Sequence, residues 1–319
     1  MYPAYLRSYR SGKLAKITEE AFDLLESCSL CPRKCGINRL KGELGFCKTG
    51  LKPRVYSFMP HQGEEPPISG VLGSGTIFFS GCNMRCSYCQ NYEFSQEGGG
   101  REVAEEELAD IMLKLQGLGC HNINLVTPTH IMPQILKALF LAVPAGLKIP
   151  LVYNTSGYEL GPVIKLLSGI IDVYLADMRY GDNLSALKYS EAPDYPKYNQ
   201  EAIKQMYGQV GLAETDKEGI IRSGLIIRHL VLPFAISGTD KVMRFIKEGL
   251  SADTYISLMS QYLPCYKAAD FQELARRITY EEYERARDIM QKYGLENGWI
   301  QDSMGLERFA GSNIKPYLK

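Results

Sequence analysis

The chain has 319 residues, 45% of them apolar, with 36 basic side chains against 36 acidic ones. That length supports a large core, in one barrel-sized domain or two smaller ones, and the balanced charge excludes a general basic field for gripping nucleic acid. The opening "MYPAYLRSYRSGKLAK" has no apolar signal core, and the apolar run "LFLAVPAGL", interrupted by Pro144 and Gly146, falls far short of the ~20 residues a membrane helix needs, so a soluble cytoplasmic protein is expected.

Residues 1–27 read as a helical lead-in, with Thr18 placed to cap "EEAFDLLESC". Cys28-x2-Cys31-x3-Cys35-x11-Cys47 follows. In a reducing cytoplasm clustered cysteines bind metal or do chemistry more often than they pair. Four thiolates complete a site for zinc or for an iron–sulfur cluster, and the spacing does not choose between them. Arg33, Lys34, Arg39 and Lys41 offset the thiolate charge, and Gly36, Gly42 and Gly45 permit tight turns around a metal. Residues 59–75 are rich in Pro and Gly and read as loop, with Glu64 and Glu65 either reaching the site or, the commoner case, solvated.

From Thr76 a strand and helix rhythm sets in. "TIFFSG" reads as a strand. Helix 103–117 carries Leu108, Ile111, Met112 and Leu115 on one stripe. Strand 122–126, helix 131–142, strand 149–154, helix 159–168 and strand 171–177 follow, then helical sequence to 210, strand 224–233, helix 240–249 and strand 254–260. Helix 279–293 opens on a capping box of Thr279 and Glu282 and is expected to bury Tyr283, Ala286, Met290 and Tyr293; "GWIQ" reads as a last short strand. Strands separated by helices at this spacing form parallel βαβ units. About six units suit an open, partial (β/α)6 barrel or a doubly wound sheet, and both place their sites at the carboxyl ends of strands. The expected division is a metal-binding region at 1–70, the barrel at 71–301 and a tail at 302–319.

"GCNMRCSYCQN" follows the first of these strands and supplies Cys82, Cys86 and Cys89. Three thiolates on one loop can hold three irons of a four-iron cube and leave the fourth without a protein ligand. An amino acid's amine and carboxylate can chelate that iron, and a low-potential cluster can then pass an electron to a sulfonium carbon–sulfur bond. The other reading is a zinc knuckle that borrows a ligand from elsewhere in the chain. The spacing, with Tyr88 as the aromatic, resembles the C-x3-C-x-aromatic-C signature of the radical SAM superfamily. "EEPPISGVLGSGTIFFSGCNMRCSYCQNYEFSQ", "CPRKCGINRLKGELGFC", "VTPTH", "YNTSGYE" and "LMSQYLPC" narrow the resemblance to the branch related to pyruvate formate-lyase activating enzyme, in homologues with an N-terminal cysteine cluster. The resemblance implies a partial (β/α)6 barrel, a [4Fe-4S] cluster on Cys82, Cys86 and Cys89, and S-adenosylmethionine as cofactor. It also implies reductive cleavage to a 5′-deoxyadenosyl radical, which abstracts hydrogen from a substrate. That branch usually carries a Gly-Gly-Glu-type motif after its second strand, where this chain has Val126-Thr127-Pro128-Thr129-His130.

Thr127 is the candidate for the methionine amine. Asn154, Thr155 and Ser156 are candidates for the methionine or ribose, and Asp177 and Arg228 for other polar groups of the cofactor, Arg being suited to a carboxylate. Each is also an ordinary polar residue at a strand end. Cys265 is a candidate to quench a substrate radical or give up a hydrogen, against its ordinary reading as a small buried hydrophobe; Cys120 is expected in the core. His130 and His229 are either proton carriers or structural. The first substrate candidate is a glycine Cα–H of a partner protein and the second a small molecule or peptide, with reduced flavodoxin or ferredoxin as electron donor and neither nucleic acid nor membrane as partner. The second cysteine set is a further iron–sulfur or zinc centre. A non-catalytic electron-transfer protein is the rival from another class.

Overall fold

The computed structural model describes residues 2–301, and the tail expected at 302–319 lies outside the described residues. The strands, in chain order, are β1 (Arg54–His61), β2 (Ser74–Phe79), β3 (Arg101–Glu102), β4 (Ile123–Val126), β5 (Leu151–Thr155), β6 (Val173–Asp177), β7 (Glu214–Thr215), β8 (Ile221–Leu230), β9 (Tyr255–Met259) and β10 (Gly298–Ile300). They form one sheet in the order β10-β9-β8-β6-β5-β4-β2-β1-β3, with β7 paired to β8. From β2 to β10 every neighbour along that path is parallel. Each new parallel strand is laid beside the one before it. A right-handed crossover repeated in one direction puts all the helices on one face and curls the sheet, whereas a doubly wound sheet reverses its order in the middle. The fold is therefore a mixed α/β, partial barrel, open between β10 and the β1–β3 edge.

The outer layer contains helices Glu105–Gly117, Met132–Ala142, Tyr195–Val210, Thr239–Gly249 and Tyr280–Lys292. The last opens with the expected capping box between Thr279 and Glu282 and buries Tyr283, Ala286 and Met290; Tyr293 ends half-buried at its C-cap. Two expectations fail near the start of the chain. Helix Lys13–Asp23 runs through Thr18, which is no cap: its hydroxyl donates 2.7 Å back to the Leu14 carbonyl. The loop expected from 59 begins only after His61, because β1 pairs antiparallel with β2 as far as His61. Its alternation is masked by Pro60 and by a register irregularity between Val55 and Ser57.

Successive strand residues face opposite sides, so Val152 and Asn154, Leu175 and Asp177, and Ile226 and Arg228 point into the barrel together. The lower layer is apolar. Ile68, on the short helix Pro66–Ser69, plugs the bottom against Val152, Val173, Leu175 and Ile226. The upper layer is polar and charged, and it is where the strands end.

The N-terminal helices close the same bottom from outside. Tyr5 donates 2.8 Å to the Ile149 carbonyl and Ser8 2.7 Å to the Gly169 carbonyl, both just ahead of inner strands. The chain then reaches the top with the cysteines of 28–47. Gly81, at φ +86°, lies so close that an added Cβ would stand 2.7 Å from the Cys47 carbonyl.

Candidate active site

Cys82, Cys86 and Cys89 sit on the loop after β2. Backbone pairs fix that loop: Arg85 N to Ser190 O at 2.9 Å, Ser87 N to Tyr189 O at 2.8 Å and Lys267 N to Ser87 O at 2.8 Å. Each sulfur meets a polar neighbour. Met84 N–H donates to Cys82 Sγ at 3.4 Å, Ser190 Oγ–H donates to Cys86 Sγ at 3.0 Å, and Ser95 Oγ lies 3.2 Å from Cys89 Sγ. Burial pushes the Cys82 thiol up to about 12 and raises Cys89 as well. Protonated thiols in a dry loop are what a cationic metal would convert to thiolates. Among the described residues no three His, Cys, Asp or Glu side chains converge to hold a single ion. Two buried thiols and one half-buried thiol on one segment, each beside a polar neighbour, fit an iron–sulfur cluster, which spreads its ligands over several metal atoms. The Tyr88 hydroxyl donates a hydrogen bond to Tyr180 at 2.7 Å, and Tyr180 lies 2.6 Å from Ser190 Oγ, so the signature aromatic buttresses the Cys86 partner.

Next to this loop Asp177 bridges two guanidinium groups, Arg179 at 2.6 Å and Arg228 at 2.8 Å. Arg228 also donates 2.6 Å to Asn154 Oδ1 and reaches Glu64 at 3.4 Å, while Glu64 accepts from Asn124 at 2.9 Å and Asn154 at 3.4 Å. Burial opposes the charge on Arg228, but Asp177, Glu65 and Glu64 outweigh it and hold its pKa above the ordinary value. A cavity of about 150 Å³ joins the two halves, with Tyr88 and Cys89 on one wall and Asp177, Arg179 and Arg228 on another. A second cavity, about 330 Å³, opens beside it and shares Arg228, Met259 and Gln261. A larger groove of about 540 Å³, between the 233–241 segment and helix Tyr280–Lys292, is lined by none of the cysteines.

The structure thus gathers Tyr88, Asn154, Asp177 and Arg228 with the open cysteine set. Ser156 stands at the end of β5 with its buried Oγ unpartnered. Thr155 is already engaged: its hydroxyl and that of Thr129 each donate 2.5 Å to Glu159. Thr127 takes a left-handed φ of +60°, rare for a β-branched residue, with its N–H on the Asn154 carbonyl at 2.9 Å. The Cys265 thiol donates 3.4 Å to the Tyr88 carbonyl, and burial, then Cys89, raises it to about 11. Cys120 is buried at the foot of β4. Both histidines are built in. His130 Nε2 meets the Ser80 carbonyl at 2.8 Å and His229 Nδ1 the Met178 carbonyl at 2.7 Å, and burial lowers each to about 4.

The solvated reading of Glu64 and Glu65 is overturned: Glu65 is buried and the Glu64 side chain is 8% exposed, because the plug carries them up into the barrel. Arg179 and Glu159 were missed. Arg179 sits two residues past Asp177, which was the available signal. Burial raises Glu159 to about 7.

The four cysteines of 28–47 line one small cavity with Arg39, Asn83 and His130, whose Nδ1 is buried without a partner. Burial pushes Cys31 up to about 12. Arg33 ties this region to the open loop: its Nε donates 2.9 Å to the Asn83 carbonyl, while its guanidinium lies 3.6 Å from the Phe46 ring centroid.

Residues 76–207 match the model of the radical SAM superfamily. The chain is 33% identical over 290 residues to the uncharacterized protein MJ0674 of Methanocaldococcus jannaschii, covering 87% of this chain and 78% of that one. It is 23% identical over 313 residues to MJ0808 of the same organism, covering 92% and 86%. A pyruvate formate-lyase-activating enzyme of Clostridium pasteurianum is 28% identical over 115 residues, covering 34% of this chain and 46% of that one. Among solved structures, the [FeFe]-hydrogenase maturase HydG from Carboxydothermus hydrogenoformans aligns with a TM-score of 0.47 at 14% identity, covering 72% of this chain and 53% of that one. A further HydG structure aligns at 0.45 and 12%, covering 69% and 49%, so this chain spans about half the length of either. No helix among the described residues is long and apolar enough to cross a membrane.

Proposed function

The chain belongs to the radical SAM superfamily, and from that premise we propose that it is a hydrogen-abstracting enzyme with a [4Fe-4S] cluster on Cys82, Cys86 and Cys89 and S-adenosylmethionine in the adjoining cavity. When bound, the cluster supplies the electron that splits the sulfonium bond and yields the 5′-deoxyadenosyl radical. The observation that carries this is the cavity with Cys89 on one wall and the Asp177, Arg179 and Arg228 network on another. Arginine grips a carboxylate with paired hydrogen bonds, and Arg228 is already aimed by Asp177 and Asn154. The unpartnered Ser156 hydroxyl suits a sugar hydroxyl or the amino-acid end, and Thr127, in its strained turn after β4, is proposed for the amine because the resemblance puts the amine's partner after that strand. Thr155 acts through Glu159 rather than on the cofactor. Cys265 braces the Tyr88 carbonyl in this scheme.

The second cysteine set is proposed as a further metal centre, iron–sulfur or zinc, on Cys28, Cys31, Cys35 and Cys47; the shared cavity and the buried Arg39 beside it support an anionic centre. A reduced flavodoxin or ferredoxin is the proposed donor, in a cytoplasmic setting. A glycine Cα–H of a partner protein is one proposed substrate, by likeness to the Clostridium pasteurianum enzyme. The buried acids of the neighbouring cavity favour a smaller molecule or a peptide.

Anaerobic reconstitution, reduction and addition of S-adenosylmethionine test the proposal by chromatography for 5′-deoxyadenosine. Product absent above a Cys86→Ala control would return the chain to the electron-transfer class. Metal analysis separates two cubes, about eight irons per chain, from one cube with zinc, about four irons and one zinc.

A further inference from the structure

The cavity of about 330 Å³ is walled by the plug segment on one side and by β9 and β10 on the other. Glu65 enters it from the N-cap of Pro66–Ser69. The residue is 7% exposed, its Oε2 is buried without a hydrogen-bond partner, and the Ser257 side chain stands beside the carboxylate. In the surrounding network the carboxylates of Glu64, Glu65 and Asp177 face the guanidiniums of Arg179 and Arg228. Three carboxylates face two guanidiniums, and Glu65, which Arg228 attracts only from beyond the close ion pairs it makes with Asp177 and Glu64, is the acid in excess. An unpaired buried carboxylate is costly and persists where something else supplies its partner. Gln62, Gln261 and Gln301 add amides to the same wall, and Trp299 stands at the rim with 38% of its surface exposed. A carboxylate floor under an aromatic rim is the chemistry that receives an organic cation, since the ring face attracts positive charge and the acid fixes it.

We propose that this cavity is the substrate subsite and that it takes an aliphatic primary ammonium group, held by Glu65 beneath Trp299. The shared walls at Arg228, Met259 and Gln261 put the carbons of such a molecule next to the smaller cavity assigned to S-adenosylmethionine. The use of the bound group rests on the function proposed above; its binding does not.

Trp299 is the chain's single tryptophan, so its fluorescence reports this rim alone. The test titrates the reconstituted protein with n-butylammonium and, separately, with n-butanol of the same length. A saturable change with the ammonium and none with the alcohol is expected. Glu65→Gln should raise the half-saturation at least about tenfold, with Glu65→Asp recovering part of it. Glu65→Gln should also leave the free protein's thermal midpoint unchanged or higher, because it removes an unpaired buried charge; a lower midpoint means Glu65 serves the fold and overturns the proposal. Equal responses to alcohol and ammonium also overturn it. So does competition between S-adenosylmethionine and n-butylammonium, which would give the cavity to the cofactor. Formation of 5′-deoxyadenosine with a silent Trp299 would reject this subsite and leave the proposed radical chemistry standing.

Discussion

Arg39 is fully buried, and its hydrogen bonds go to carbonyls: Nη1 to His130 O at 2.6 Å, Nε and Nη2 to Gly50 O at 3.1 and 2.8 Å. The bond to His130 straps the cysteine-rich segment to the turn after β4, and the pair to Gly50 closes the segment on itself. Arg39→Met keeps much of the volume and removes every donor. A buried acceptor left without its donor costs about 1–3 kcal/mol, nearer the lower figure where water can reach it. His130 is buried and Gly50 half-buried, so the expected loss is roughly 2–5 kcal/mol. Urea unfolding of the reconstituted protein measures the total, and hydrogen exchange over residues 28–51 shows whether that segment opens first. A loss below about 1 kcal/mol would refute the strap, since that is the scale of an ordinary surface change. A second comparison tests the charge. Arg39 lines the four-cysteine cavity, so an anionic metal centre would supply the counter-charge its carbonyl partners do not. The substitution should then cost more with metal bound than after chelation; equal costs would show that the carbonyls alone explain the burial.

Gly81→Ala forces a side chain into a left-handed residue and against the Cys47 carbonyl at 2.7 Å. It should destabilise by about 2 kcal/mol or more and lower the metal content of both cysteine sets, measured by thermal melting and iron analysis. Asp177→Asn removes the carboxylate that aims Arg179 and Arg228. The half-saturating concentration of S-adenosylmethionine should rise by about 10–100-fold with the circular dichroism unchanged; an unaltered value would remove Asp177 from the cofactor site. His229 is held neutral, its pKa drawn by burial to about 4. Because the folded value lies below the ordinary 6.5, the stability it contributes is present above pH 6.5 and lost as the pH falls from there to 4. Between pH 7 and 4 the wild-type chain should lose about 3 kcal/mol more than His229→Asn, by urea unfolding at each pH.

The parts of the fold legible in the sequence were those with an unbroken period. Helix Tyr280–Lys292 carries both its cap and its stripe in one stretch of chain, and the open cysteine loop carries its three thiols within a few residues. The undecided point, barrel against doubly wound sheet, is a matter of strand order, which no local pattern encodes. β1 escaped notice because Pro60 and an irregular register disguise its alternation. Glu64 and Glu65 misled for a deeper reason. Gly, Pro and acidic side chains normally mark solvent, and the segment is indeed irregular. Only the tertiary fold reveals that Pro66–Ser69 turns inward as a plug and delivers those acids to Arg228. Thr155 was placed at the right strand end, but its hydroxyl is spent on Glu159, a partner four residues on whose burial nothing in the sequence announces.

The two layers of the barrel interior show where stability ends and chemistry begins. The lower layer, Ile68 with Val152, Val173 and Ile226, needs only shape and apolar area. The upper layer buries Arg228 between a strand carboxylate, Asp177, and a plug carboxylate, Glu64. Desolvating such a network costs about as much as its attractions return, and well-packed apolar side chains often serve stability equally well or better. Stability therefore gives no reason for its charges, and Glu65, the carboxylate in excess, makes the balance worse. A cofactor with its own carboxylate and ammonium, and a cationic substrate beside it, would complete the missing pairings. Because Arg228 holds the strand and the plug together, filling one cavity should be felt in the other through that guanidinium.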